Sequence, residues 1–329
     1  MRTTIKKSLH ILAWATLTAL IVVPAKAEEL KLWRHGIVEA KSDAGIVFMA
    51  SKGGFAEKRG LNIEIKQFKG DTLALKALLA GELDSYEGNP GSPILAASRG
   101  ADIKLIGCYW PGLTYAIYSK ASINSIADLK GKTLAISAPG ALPDLVARAV
   151  LAQNNVPAAD VKFTIMGSDA DRFKALAAGI VDAAAASSGF APAAKKAGVK
   201  LLVHAIEAVP NYVRFCIYSS EKTLAARQDD AARFLAAEMA GFRHALENRE
   251  QTIKLTREVT HAKPDDPLPA FTYDEVKRYS AVDPAMPIPM DKLAWLRDLL
   301  VTTGNLTKPV DLSKFVDPDI RTKALQIVK

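Results

Sequence analysis

The chain is short of cysteine and aromatic residues, has no long apolar run after residue 27, and carries no cluster of basic residues. Each shortage excludes something. Two cysteines in 329 residues cannot build a disulfide-dense scaffold. Aromatics at 7%, set among many alanine-rich segments, suit helices packed on sheets better than an all-β sandwich. No apolar stretch of the mature part approaches the roughly 18 residues a spanning helix needs, so no integral membrane protein is predicted. Lys and Arg are scattered among acids, which argues against a nucleic-acid partner. His35, His204, His244 and His261 fall in no metal-ligand spacing, and neither cysteine belongs to a Cys-x-x-Cys pair. There is no Gly-x-Ser-x-Gly elbow, P-loop or dinucleotide glycine fingerprint. No catalytic residues, cofactor or metal are therefore expected.

What is present suggests two domains, because 329 residues, 49% of them hydrophobic, exceed one ordinary core. Arg2, Lys6 and Lys7, the apolar stretch Ile11 to Val23, and Ala25-Lys26-Ala27 read as a secretory signal peptide over residues 1–27. A membrane anchor is the alternative. With no cysteine after the apolar run, no lipid anchor is expected there, and the mature chain would work outside the cytoplasm from Glu28. Cleavage removes four basic residues and no acid, lowering the formal charge from +8 to +4. Cys108 and Cys216 each sit in an apolar strand-like run; two separate buried thiols are expected, with a disulfide as the alternative.

The most informative pattern is internal. Lys76-Ala-Leu-Leu-Ala-Gly-Glu-Leu-Asp84 matches Lys174-Ala-Leu-Ala-Ala-Gly-Ile-Val-Asp182 at an offset of 98, with six of nine positions identical. The same offset carries the preceding strand, Ile63 and Ile65 falling on Val161 and Phe163. Each copy reads as strand, helix, strand: 63–68, 71–80 and 83–87, then 161–166, 169–178 and 182–186. Upstream lie a strand at 30–33 with a helix at 44–58, and a strand at 133–137 with a helix at 143–153. A period this long implies two related α/β lobes with mostly parallel sheets rather than a solenoid. A second echo, Ala116-Ile-Tyr-Ser-Lys120 and Cys216-Ile-Tyr-Ser-Ser220, marks strands near two crossings between the lobes. The expected division is 28–119 for the first part of lobe 1, 120–213 for lobe 2, and 214–329 for the return to lobe 1 with C-terminal helices.

Ligands of open α/β sheets bind beyond the carboxyl ends of the strands. The cleft is therefore expected to gather Arg34 and His35, Lys69-Gly70-Asp71-Thr72, and Glu87-Gly88-Asn89-Pro90 from lobe 1. Ser137 to Gly140, Gly167-Ser168-Asp169 and Ser187-Ser188-Gly189 would come from lobe 2. The loops at Gly70 to Thr72 and Ser137 to Ala141 precede helices, whose free N–H groups can hold an oxyanion, although the same residues also suit plain helix caps. Arg34 and His35 could pair with a carboxylate or sulfonate. Tyr109 and Trp110 could wall the ligand's carbon skeleton, or belong to the core. Glu87 is an acid that would favour amines over anions unless it is neutralised.

Together the leader, the doubled lobes and the double crossing resemble the type II periplasmic solute-binding proteins of ABC importers, in the nitrate/sulfonate/taurine-binding group that also includes binders of thiamine pyrimidine precursors. The local marks are Gly53-Gly-Phe-Ala-Glu-Lys-Arg-Gly-Leu61, Ala77-Leu-Leu-Ala-Gly-Glu-Leu-Asp84 and Ile126-Ala-Asp-Leu-Lys-Gly-Lys-Thr-Leu-Ala-Ile136. The resemblance implies a monomeric periplasmic receptor, not an enzyme, that closes by a hinge on a small molecule and delivers it to an inner-membrane ABC permease. By segment it places the acidic group of the ligand at Arg34, His35, Thr72, Gly88, Asn89, Ser137 and Gly140. Glu87 departs from an anion-only pattern. A small organic anion, sulfonate or carboxylate, is the first expectation, an aminopyrimidine held by Glu87 the second, and an enzyme on the same fold the third.

Overall fold

A computed structural model describes residues 29–328, so the leader read at 1–27 lies outside the described residues. The chain begins with β1 (Lys31–Val38), the short helices α1 (Ala44–Val47) and α2 (Met49–Lys52), β2 (Leu61–Phe68), α3 (Asp71–Leu79), β3 (Ser85–Gly88), α4 (Gly91–Ser98) and β4 (Lys104–Trp110). It continues through β5 (Tyr115–Lys120), β6 (Thr133–Ile136), α5 (Leu142–Gln153), β7 (Lys162–Ile165), α6 (Asp169–Ala177), β8 (Ala183–Ser187), α7 (Ala191–Ala194), β9 (Val199–His204) and α8 (Ala205–Ala208). It ends with β10 (Phe215–Ser219), α9 (Glu221–Ala226), α10 (Gln228–Glu247), α11 (Arg249–Thr260), α12 (Leu268–Arg278), α13 (Met290–Thr302) and α14 (Pro318–Ile327).

Two five-stranded sheets result, ordered β2-β1-β3-β10-β4 and β7-β6-β8-β5-β9. Position by position they are the same sheet. β1 lies parallel between β2 and β3, as β6 does between β7 and β8, while β10 and β5 run against their neighbours. The repeat at offset 98 is thus β2-α3-β3 against β7-α6-β8, and the second echo aligns β5 with β10. Because β5 pairs with β8 and β9, the chain crosses at 111–114, ahead of Ser119 where the sequence suggested the first lobe would end. The return crossing follows β9 and ends at Phe215.

Two local readings change. β1 runs to Val38, well past Trp33, because its polar residues are satisfied inside the sheet. Arg34 forms a two-pronged pair with Asp84, and His35 Nδ1 shares a 2.8 Å hydrogen bond with the Ser85 hydroxyl. The helix read at 44–58 is interrupted at Phe48 between α1 and α2, and Gly53 and Gly54, the latter with φ of 79°, turn the chain after α2 ahead of a single 3-10 turn.

Apolar residues fall on both faces of each sheet. One core packs α10 on the first sheet through Trp33, Phe234, Leu235 and Phe242; another packs α6 on the second through Phe173 and Leu176. The largest lies between, joining Leu83 and Ile94 of lobe 1 to Leu134, Leu145 and Val150 of lobe 2, with Leu293, Leu296 and Leu300 of α13 wedged against both. Cys108 and Cys216 form a disulfide between β4 and β10, so the expectation of two free thiols is corrected: adjacent strands bring the two buried sulfurs together.

Candidate functional site

Between the lobes lies a cavity of about 350 Å³, walled by loops at the carboxyl ends of equivalent strands. Lobe 1 supplies Val38, Glu39 and Lys41 at and just beyond the end of β1, Lys69 to Leu73 at the start of α3, and Asn89 after β3; Arg214 and Phe215 arrive with the return crossing. Lobe 2 supplies Tyr115, Ser137 and Ala138, the start of α5 from Ala141 to Pro143, and Gly167, Ser168, Asp169 and Arg172.

Its helix starts differ in a telling way. Ser168 caps α6, its hydroxyl accepting the Asp171 N–H at 3.2 Å, whereas α3 begins at Gly70 and α5 at Ala141 with no side-chain cap. Two uncapped N-termini, one from each lobe, therefore offer backbone donors and positive dipole ends to the same space. Thr72 and Ser137 add hydroxyls beside them.

Charge is concentrated at the lobe boundary. Lys41 of lobe 1 forms an ion pair with the buried Asp169 of lobe 2, which is also paired with Arg172 and accepts the Tyr115 hydroxyl at 2.6 Å. Burial works against the charge on Asp169, but Lys41 and Arg172 prevail and hold its carboxyl below the usual range. Arg214 donates to Asp43 at 2.6 Å and to the Thr114 hydroxyl at 2.8 Å. Asp71 is different: Oδ1 accepts the Asn89 N–H at 3.2 Å, while Oδ2 is buried without a hydrogen-bond partner. Burial raises this carboxyl to about 7 against the pull of the nearby Ser92 and Asn89 donors.

Gly70, Thr72, Asn89 and Ser137 stand in the cavity wall as the sequence suggested. Asn89 is already engaged, donating to Tyr212 at 2.7 Å and accepting from Gly91 at 2.9 Å, so it shapes the wall. Gly140 sits just outside, where a Cβ would come within 2.9 Å of Leu95 from the opposite lobe. Gly88 lies behind the wall, leaving room for Asp71; a Cβ there would fall 2.1 Å from Asp71 Oδ1.

Arg34, His35, Glu87, Trp110 and Ser187 are likewise absent from this wall. Arg34 and His35 precede Val38 by about 13 Å and 10 Å of strand because β1 continues. His35 is buried against Phe234, and burial lowers it to about 3. Trp110 is fully buried beneath Arg214, whose guanidinium lies 4.2 Å from its ring centre. The hydroxyl of Ser187 accepts from the Gly189 N–H at 3.3 Å inside the turn after β8. Glu87 reaches only a small side chamber of about 20 Å³, and its carboxylate accepts the Tyr109 hydroxyl. Burial pushes Glu87 up to about 8, so it is largely neutral near pH 7 and its objection to anions disappears.

Lys41, Tyr115, Arg172, Arg214 and Phe215 were not anticipated. Arg172 could have been found, since it follows Asp169 by one helical turn, and Tyr115 and Phe215 directly precede the two echoed strands. Lys41 had no local signal.

Two lobes of duplicated α/β topology, crossed twice and enclosing a cavity, define the periplasmic binding protein fold. The chain belongs to the NMT1/THI5-like family, whose model matches residues 41–252. It is 25% identical over 292 residues, 84% of this chain and 88% of the relative, to a Brucella abortus protein named for binding without a stated ligand. The alkanesulfonate-binding protein SsuA of Xanthomonas axonopodis, solved with MOPS, superposes with a TM-score of 0.74 at 20% identity, over 88% of this chain and 99% of that one. The periplasmic nitrate-binding protein NrtA of Synechocystis gives 0.75 at 14% identity, over 92% and 90%. The fold also carries catalysis: the desulfurization enzyme DSZB gives 0.64 at 15% identity, over 91% and 100%.

Proposed function

We propose that this chain is the solute-binding receptor of an ABC-type import system and captures a small organic anion, a sulfonate or carboxylate, between its lobes. The observation that carries this reading is the pair of uncapped helix starts, α3 and α5, facing one cavity from opposite lobes. An acidic group seated there takes backbone donors from both lobes at once, so binding favours the closed arrangement over the open one. The cavity is of a size that holds a small organic molecule. The leader read at 1–27 supports a periplasmic receptor, and structural neighbours named as binding components of ABC import systems support an inner-membrane permease as partner.

The test is a thermal-shift and calorimetric comparison of the mature chain with alkanesulfonates, nitrate, aliphatic and aromatic carboxylates, amines and pyrimidines. A solute at 100 times its Kd adds about 2.7 kcal/mol of stability. Acids are expected to stabilise the protein. Stabilisation by amines or pyrimidines with every acid silent overturns the anion assignment, and conversion of any of these compounds overturns the receptor reading.

A further inference from the structure

The chain leaves the first sheet at Trp110 and re-enters it at Phe215, and these two residues are in register on adjacent antiparallel strands. The Arg214 N–H donates to the Trp110 carbonyl at 3.0 Å, so the roots of the two crossings touch. Just inside them the ladder slips. Phe215 faces Trp110 and Ile217 faces Gly107, which leaves the single residue Cys216 opposite both Cys108 and Tyr109. A bulge of this kind gives up regular pairing at the place where it occurs. The disulfide lies in the bulge, and both its cysteines are fully buried.

The segment it encloses has a sequence separation of 108 and contains the whole second sheet, from Tyr115 to His204. The covalent connection between the lobes therefore enters the first sheet through β4 and β10, where hydrogen bonding is interrupted. Arg214 stands between the disulfide and the cavity. It lies on the incoming crossing, bonds Thr114 on the outgoing one, bonds Asp43 of lobe 1, and covers Trp110.

We propose that the Cys108–Cys216 disulfide is a hinge clasp: it fixes the two crossing roots against each other, confines lobe rotation to 111–114 and 205–214, and keeps Arg214 in place at the cavity wall. This depends on the two-lobed fold and not on the identity of any solute.

The test compares the native chain with the double variant Cys108→Ala/Cys216→Val, which preserves most of the packed volume, by hydrogen exchange and small-angle X-ray scattering without solute. Amides of 109–116 and 205–217 are expected to exchange about tenfold faster or more in the variant, with those of β1, α3, β6 and α5 unchanged and the scattering broadened towards open forms. Unchanged exchange at the crossings overturns the proposal, because strand pairing then suffices. Equal acceleration throughout the molecule also overturns it, because the bond then acts only on the unfolded chain. If that variant does not fold, Cys108→Val/Cys216→Ala, which exchanges the two side-chain volumes, gives the same readout.

Discussion

Asp71 carries the clearest pH dependence in the cavity. Its carboxyl, raised to about 7 by burial, has one oxygen free of hydrogen bonds in the wall that receives the solute. An acid raised above its unfolded value binds its proton more tightly when folded, so its contribution to stability declines as pH rises from about 4 to 7. The same ionisation places a like charge beside an anionic solute. Affinity is expected to fall by on the order of tenfold between about pH 6 and pH 8, equivalent to about 1.4 kcal/mol. Asp71→Asn should flatten that slope in titration calorimetry; affinity that instead grows with pH shows the carboxylate accepting a donor from the solute. His35 gives the opposite pattern. Held neutral by burial with its value near 3, it leaves the unfolded chain to bind the extra proton below about pH 6.5. Stability is lost as pH falls through that window, by at most about 1.4 kcal/mol per pH unit. Urea unfolding of the native chain and His35→Gln at neutral and mildly acid pH checks this, the loss of stability on acidification being smaller in the variant.

At the scale of elements, close backbone approach explains both the architecture and the limits of reading it from sequence. Gly45 in α1 packs so tightly on α11 that a Cβ would sit 2.0 Å from the Thr252 carbonyl, and its N–H donates to the Thr256 hydroxyl at 2.9 Å. Gly45→Ala is expected to cost about 1–3 kcal/mol in denaturant unfolding, and an unaffected midpoint would show that α11 can retreat. That contact lies more than 200 residues away in the chain, so local periodicity cannot show why a glycine stands in α1. The duplicated unit was legible because strand, helix and glycine stop recur together in β2-α3-β3 and β7-α6-β8. The true length of β1 was not, because Arg34 looks like a loop residue until Asp84, fifty residues later, is seen to bind it. The site was legible in the same proportion. Helix starts and their small residues announce themselves locally, whereas Lys41 and Arg214 acquire meaning only from partners on another element.

For the whole molecule the question is what holds the lobes together without a solute. α13 wedges between α4 and α5 on one side, and across the cleft Thr272 of α12 bonds Ser42 at 2.8 Å while Glu275 takes the Ser188 hydroxyl. Within the cavity itself the direct ionic link is Lys41 with Asp169. Lys41 is partly exposed, so deleting its charge strands no buried cation, and Asp169 retains Arg172 and the Tyr115 hydroxyl. Lys41→Ala should therefore leave unfolding stability within about 1 kcal/mol of native, the range of part-exposed ion pairs. Its effect should fall on the open–closed balance, where a contact made in only one of two states shifts their populations by its full differential energy. The expected signature is a larger mean radius in small-angle scattering without solute, and weaker binding of whichever anion stabilises the native chain. Loss of binding with no change in the scattering would assign Lys41 to the solute instead of the closure. A melting temperature that collapses would mean that the ion pair supports the fold itself.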